Sequence, residues 1–123
     1  MPRGRMLNKR ISTDDKIAKL SLKATLFYTW CIPYLDFEGR ILADVWSLKA
    51  IFPFISEITP ENIPYLVKEL EQANLVIYYG NCHHKYMQFN GFKKNQTLRE
   101  GRESASEIPS PPPAELQRNS SQR

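Results

Sequence analysis

Hydrophobic positions along this chain switch between a helical and a strand period, and the switches mark its elements. Leu22, Leu26, Phe27, Trp30, Cys31 and Tyr34 recur at helical spacing behind Ser21, a good cap, and predict a central core helix over residues 22 to about 35. Lys23, Thr25 and Thr29 mark its outer side, and Pro33 should loosen its last turn. Upstream, Ser12-Thr13-Asp14-Asp15 offers caps for a short turn through Lys16 to Lys19, and residues 1–10 show no periodicity. Downstream, Asp36-Phe37-Glu38-Gly39 reads as a turn in which Gly39 takes a positive φ. Arg40-Ile41-Leu42 suffices only for a short strand. Asp44 then caps a helix over residues 45 to about 52, with Val45, Leu48 and Phe52 inward and Pro53 as its stop.

The most informative stretch runs TPENIPYLVKELEQANLVIYYGNCHHKYMQF, Thr59 to Phe89. Thr59 is a cap and Pro60 suits the first helical position, while Pro64 demands either a kink or a start at Asn62. Ile63, Leu66, Val67 and Leu70 form one apolar stripe. Asn74 sits where the chain must turn through a left-handed residue. From Leu75 the period becomes two, with Leu75, Ile77 and Tyr79 facing one way and Val76 and Tyr78 the other. Gly80-Asn81 opens a turn and Tyr86 to Phe89 return as a strand. A capped helix running straight into a hairpin is the second half of a winged helix-turn-helix. The order helix, strand, helix, helix, strand, strand, with residues 40–42 as third strand, predicts an α+β winged helix-turn-helix with a small antiparallel sheet.

Length and charge refine this picture. The 123 residues allow a single core with tails, and no apolar run approaches the roughly 18 residues of a bilayer span. A cytoplasmic protein without a disulfide between Cys31 and Cys82 is expected. The net charge of +4 is unevenly spread. Residues 1–10 carry Arg3, Arg5, Lys9 and Arg10 with no acid, and residues 91–102 carry Lys93, Lys94, Arg99 and Arg102 against Glu100 alone. Residues 11–90 hold seven basic and nine acidic side chains, so the positive excess lies in the flanks. The chain therefore divides into a basic arm (1–10), a winged-helix domain (11–90), a basic strap (91–102) and a Pro-rich tail (103–123). That tail has almost nothing to bury and reads as disordered, with a polyproline II bias near Pro109 to Pro113. Its bare PxxP, Pro109 and Pro112, reads as linker rather than SH3 ligand.

Candidate chemistry is binding rather than catalysis. The basic flanks suit phosphate contacts, which give affinity and salt dependence without sequence preference; the bland alternative is that they only keep the domain soluble. On the third main helix Asn62, Tyr65, Lys68, Glu69 and Gln72 are placed outward, where Asn and Gln can read adenine edges and Lys can meet guanine or phosphate. Glu61, Glu69 and Glu71 oppose that reading by repelling phosphates, and a solvated amphipathic face is the alternative. At the hairpin tip His83, His84 and Lys85 combine with Tyr78, Tyr79 and Tyr86 into a backbone or minor-groove contact surface, unless the tyrosines only pack the sheet. Cys82-His83-His84 lacks the further ligands that zinc needs, so no metal or cofactor is expected. No Gly-rich phosphate loop or HExxH is present, and Trp30, Trp46 and the phenylalanines are assigned to packing.

The segments GRMLNKRIS, LSLKATLFYTWCIPYLDFEGR, KAIFP and ITPENIPYLVKELEQANLV resemble the N-terminal winged-helix module of phage and Gram-positive replication-initiation proteins, the replisome organisers or DnaD-like primosome proteins. The similarity covers about residues 3–108, and its sharpest parts are Asp36 to Arg40 and Phe52-Pro53. The resemblance implies a non-catalytic DNA-binding module of a phage or prophage replication initiator. It implies DNA as partner, with the replicative helicase or its loader as a further one; a face for self-association as a homo-oligomer is a separate expectation. Members often carry a second, helical domain after a Pro-rich linker; only the binding module is expected here. An oligomerisation or docking module of a replication complex, and a transcriptional regulator on the same fold, remain the alternatives.

Overall fold

The computed structural model describes Leu7 and residues 9–81, 83–92 and 108–112. These residues form an α+β arrangement of four α-helices and one three-stranded antiparallel sheet. The helices are α1 (Asp15–Ala18), α2 (Leu22–Cys31), α3 (Val45–Lys49) and α4 (Ile63–Gln72), and the strands β1 (Arg40–Leu42), β2 (Val76–Gly80) and β3 (Lys85–Phe89). From α2 onward, helix, strand, helix, helix, strand, strand follow in the expected order.

Local chemistry sets most boundaries. Asp14 Oδ1 accepts from Lys16 N and Ser21 Oγ from Ala24 N, satisfying N–H groups that the first turns of α1 and α2 leave orphaned. Helix α2 ends at Cys31, and Pro33 lies in the 3-10 turn Ile32–Tyr34 that follows. Asp36 organises the next turn: Oδ1 accepts from Glu38 N and Arg40 N, and Gly39 adopts φ 77°. Helix α4 starts later than Thr59 and Pro60 suggested. Thr59 and Asn62 bond reciprocally, Thr59 N to Asn62 Oδ1 (2.9 Å) and Asn62 N to Thr59 Oγ1 (3.3 Å). Helical geometry begins at Ile63, so Pro64 falls in the first turn, where its missing N–H costs nothing. Asn74 ends the run with φ 60°.

The core lies between α2, α4 and one face of the sheet. Ala24, Phe27 and Cys31 of α2 meet Ile63, Leu66, Val67 and Leu70 of α4, with Leu48, Phe52 and Ile58 closing one side. Phe27 and Trp30 both stack on Phe52, and Tyr28 stacks on Phe89 at 4.8 Å. The wide apolar face expected for α2 is therefore rotated. Leu22 is 91% exposed, and Trp30 and Tyr34 are also exposed, while Ala24 takes a buried position. Trp46, assigned to packing by its spacing, is 74% exposed at the start of α3. A short helix anchored by Leu48, with Ile51 and Phe52 buried just beyond it, has no inward position left for a second large ring.

Strand β3 is central in the order β1-β3-β2. Registers Ile41↔Met87 and Tyr78↔Met87 put Ile41, Met87 and Tyr78 on the helix side. Registers Arg40↔Gln88, Ile77↔Gln88, Leu42↔Tyr86 and Tyr79↔Tyr86 put the other residues on the far side. Leu75 precedes the strand and joins the core with Val76 instead of following Ile77 and Tyr79. Those two residues are nonetheless buried. Part of the cover is the tail that had nothing to bury. Tyr79 Oη donates to Pro109 O, Arg40 Nη1 donates to Ile108 O at 3.1 Å, and Pro111 is buried. Disorder thus does not describe residues 108–112; the far face of the sheet supplies what the tail alone lacks. The rest of 103–123 lies outside the described residues.

Candidate nucleic-acid interface

Helix α4 places its candidates unequally. Tyr65, Lys68 and Gln72 share the face opposite the Ile63, Leu66, Val67, Leu70 stripe and are exposed. Asn62 is withdrawn from it. Its Oδ1 accepts from Thr59 N, and its Nδ2 donates to Glu57 O at 2.7 Å. An amide so engaged has lost the bidentate edge that reads adenine. Glu69 is also withdrawn, which corrects its outward placement. Its Oε2 accepts from Ser21 N at 2.6 Å and its Oε1 from Ser21 Oγ at 3.1 Å, so its charge sits at the N-terminus of α2. Of the acids that weighed against groove contact, Glu61 remains exposed and Glu71 half-buried.

The tip of the β2–β3 hairpin is a built turn. Asn81 Oδ1 accepts from His83 N and His84 N, both at 2.8 Å, and Asn81 N donates to His84 O. Gly80 is required by space: a Cβ there would lie 2.3 Å from His84 O. His83 and Lys85 are exposed. His84 is tied to Asp44, Nδ1 to Oδ2 at 3.1 Å, while Lys85 N donates to Asp44 Oδ1 at 3.0 Å. Asp44 stands at the cap position of α3, yet both carboxylate oxygens serve the β2–β3 hairpin. The Lys85 N–H, then His84, hold its carboxyl below the usual carboxylate range. The expected tyrosine surface is reduced. Tyr78 is half-buried against the core, and Tyr79 is buried, its phenol pushed up to about 12 chiefly by burial. Tyr86 is half-buried beside it.

Of the basic flanks, Lys9 and Arg10 are exposed in the 3-10 turn Lys9–Ser12, so the arm is structured at its domain end. Arg3, Arg5, Lys93, Lys94, Arg99 and Arg102 lie outside the described residues, as does Cys82. Cys31 is fully buried, its thiol pushed up by burial and unsuited to ligation or attack. Among the described residues no cluster of three His, Cys, Asp or Glu side chains forms a metal site, and no helix is long and apolar enough to cross a membrane.

Sequence reasoning missed two surfaces. Trp46 and Phe54 are 74% and 95% exposed, and helical spacing assigns such residues inward. Arg40 and Tyr79 hold the Pro-rich segment, for which one signal existed: Ile77 and Tyr79 alternate away from the core and so needed a cover of their own. Comparison of the chain with protein-family models, curated proteins and solved structures returned no match.

Proposed function

We propose that this chain is a winged-helix DNA-binding module of a phage-type replication initiator, working in the cytoplasm without catalysis. The observation that carries the reading is the capture of Glu69 by Ser21. It takes a carboxylate off the outer face of α4 and leaves Tyr65, Lys68 and Gln72 as the side chains a groove would meet. His83 and Lys85 on the wing and Lys9 and Arg10 on the arm add exposed donors for phosphate oxygens. The remaining basic flank residues and the segments that resemble replication initiators support the same reading.

The test is binding of the full chain to a labelled duplex across salt concentrations. With around six phosphates neutralised, affinity falls roughly a thousand-fold between about 50 and about 200 mM salt. Lys68→Ala weakens binding and lowers the salt slope by about one. Replacing Arg3, Arg5, Lys9 and Arg10 with glutamine lowers the slope by more. Absence of binding at low salt overturns the proposal.

A second reading is favoured by Trp46 and Phe54, large apolar side chains left in solvent. In it the domain docks on itself or on a replication protein such as a helicase loader. It predicts that Trp46→Ser with Phe54→Ser abolishes self-association in light scattering while leaving duplex affinity unchanged.

A further inference from the structure

The far face of the sheet is separate from the helical core, and its chemistry is specific. Ile77 and Tyr79 are buried there outside the main cluster, flanked across the sheet by Tyr86 and Gln88. Two donors stand on this face. The Tyr79 phenol meets the carbonyl of Pro109, and the Arg40 guanidinium meets that of Ile108. Arg40 is held in place by Gln88, whose Oε1 accepts from its Nε at 2.8 Å. Beyond these consecutive carbonyls, Pro111 is buried. Rings and a flat apolar floor for prolines, with donors for carbonyls that have no internal partner, are what a polyproline II segment needs.

We propose that this face is a binding surface for extended proline-rich segments of the form apolar-Pro-x-Pro, and that the partner is the Pro-rich linker of another protein. The chain's own residues 108–112 are the resident ligand. What identifies the partner's chemistry is that resident, whose Ile108, Pro109 and Pro111 supply the contacts. What makes it displaceable is how little holds it. Pro109, Ser110 and Pro112 are exposed, and a five-residue segment is small beside the roughly 20–30 residues a side of a stable interface. Such a contact persists because the tether supplies a millimolar effective concentration, and a partner segment with equal contacts competes against that figure. The phenol of Tyr79, which burial pushes up from its ordinary value to about 12, carries its donor proton at every physiological pH.

The proposal does not depend on DNA binding, and neither does its test. A labelled peptide of residues 107–114, EIPSPPPA, is titrated into the full chain and into the full chain carrying Ile108→Ser and Pro111→Ser. Amide spectra confirm that each protein is folded. The doubly substituted chain should bind the peptide roughly tenfold or more tightly than the unaltered chain, because its own tail no longer competes. Tyr79→Phe added to that chain, which keeps the ring and removes the donor, should weaken the peptide by roughly two- to tenfold. Shifts should fall on Arg40, Ile77, Tyr79 and Tyr86. A folded, doubly substituted chain that ignores the peptide overturns the proposal. Concentration-dependent dimers of the unaltered chain that vanish on Ile108→Ser with Pro111→Ser would assign the face to tail exchange between copies, overturning a separate partner.

Discussion

Lys49 turns its ammonium inward. Nζ donates to the carbonyls of Phe52 (2.8 Å), Ile55 (3.2 Å) and Ile58 (2.8 Å), so its three protons match three acceptors in the loop between α3 and α4. This cation organises the loop and takes no part in the proposed DNA surface. Lys49→Met keeps most of the stem and removes the donors, and should lower stability by roughly 1–3 kcal/mol in urea unfolding. The salt slope for duplex binding should not change. Gly39 shows a different constraint at the same scale. With φ +77° and a substituted Cβ only 2.6 Å from Phe92 Cβ, both backbone and space exclude a side chain. Gly39→Ala should cost roughly 1–3 kcal/mol, read as a fall in thermal midpoint.

Between elements, two carboxylates carry links between distant parts of the sequence. Glu69 of α4 bonds the main-chain N–H and hydroxyl of Ser21, joining α4 to the N-terminus of α2. Glu69→Ala and Ser21→Ala should each destabilise by about 1 kcal/mol, with a coupling of similar size in a double-mutant cycle. Glu69→Ala should also leave duplex binding intact or slightly stronger, because the charge it removes is not on the outer face. Asp44 ties the β2–β3 hairpin to the start of α3 through Lys85 N and His84. Its carboxyl is held below the ordinary value, so this link is fully present above the unfolded-state value of about 3.9 and is lost as pH falls through the lower folded value. The Lys85 amide should therefore stay protected from exchange at neutral pH and lose protection in strong acid. Asp44→Ala should remove that protection throughout.

At the scale of the molecule, the two faces of the sheet are covered by different parts of the chain. The helical core is closed by α2, α4 and the inner sheet face, and residues 108–112 cover part of the outer sheet face. Much of this was legible in local pattern. The strand that follows the helix, the left-handed Asn74, the Ser21 cap, the break at Pro33 and the turn at Gly39 all follow from backbone sterics and side-chain alternation over a few residues, although the alternation begins at Val76 and not at Leu75. Candidate site residues fared unevenly because exposure depends on rotation about a helix axis, which spacing alone leaves ambiguous wherever apolar residues outnumber inward positions. Trp46 and Leu22 are such cases.

Partners distant in sequence were beyond the reach of any local pattern. Ser21 and Glu69 are 48 residues apart, Asp44 and His84 are 40 apart, and Arg40 and Ile108 are 68 apart. Each is a polar group whose partner exists only once the core has brought the elements together. Sequence determined where the chain helices, extends and turns, because those choices are made within one turn or one pleat. Tertiary structure alone decided which acids leave the outer face of α4, which aromatic rings remain in water and where the proline-rich tail comes to rest, because burial and hydrogen bonding depend on neighbours the chain supplies from elsewhere.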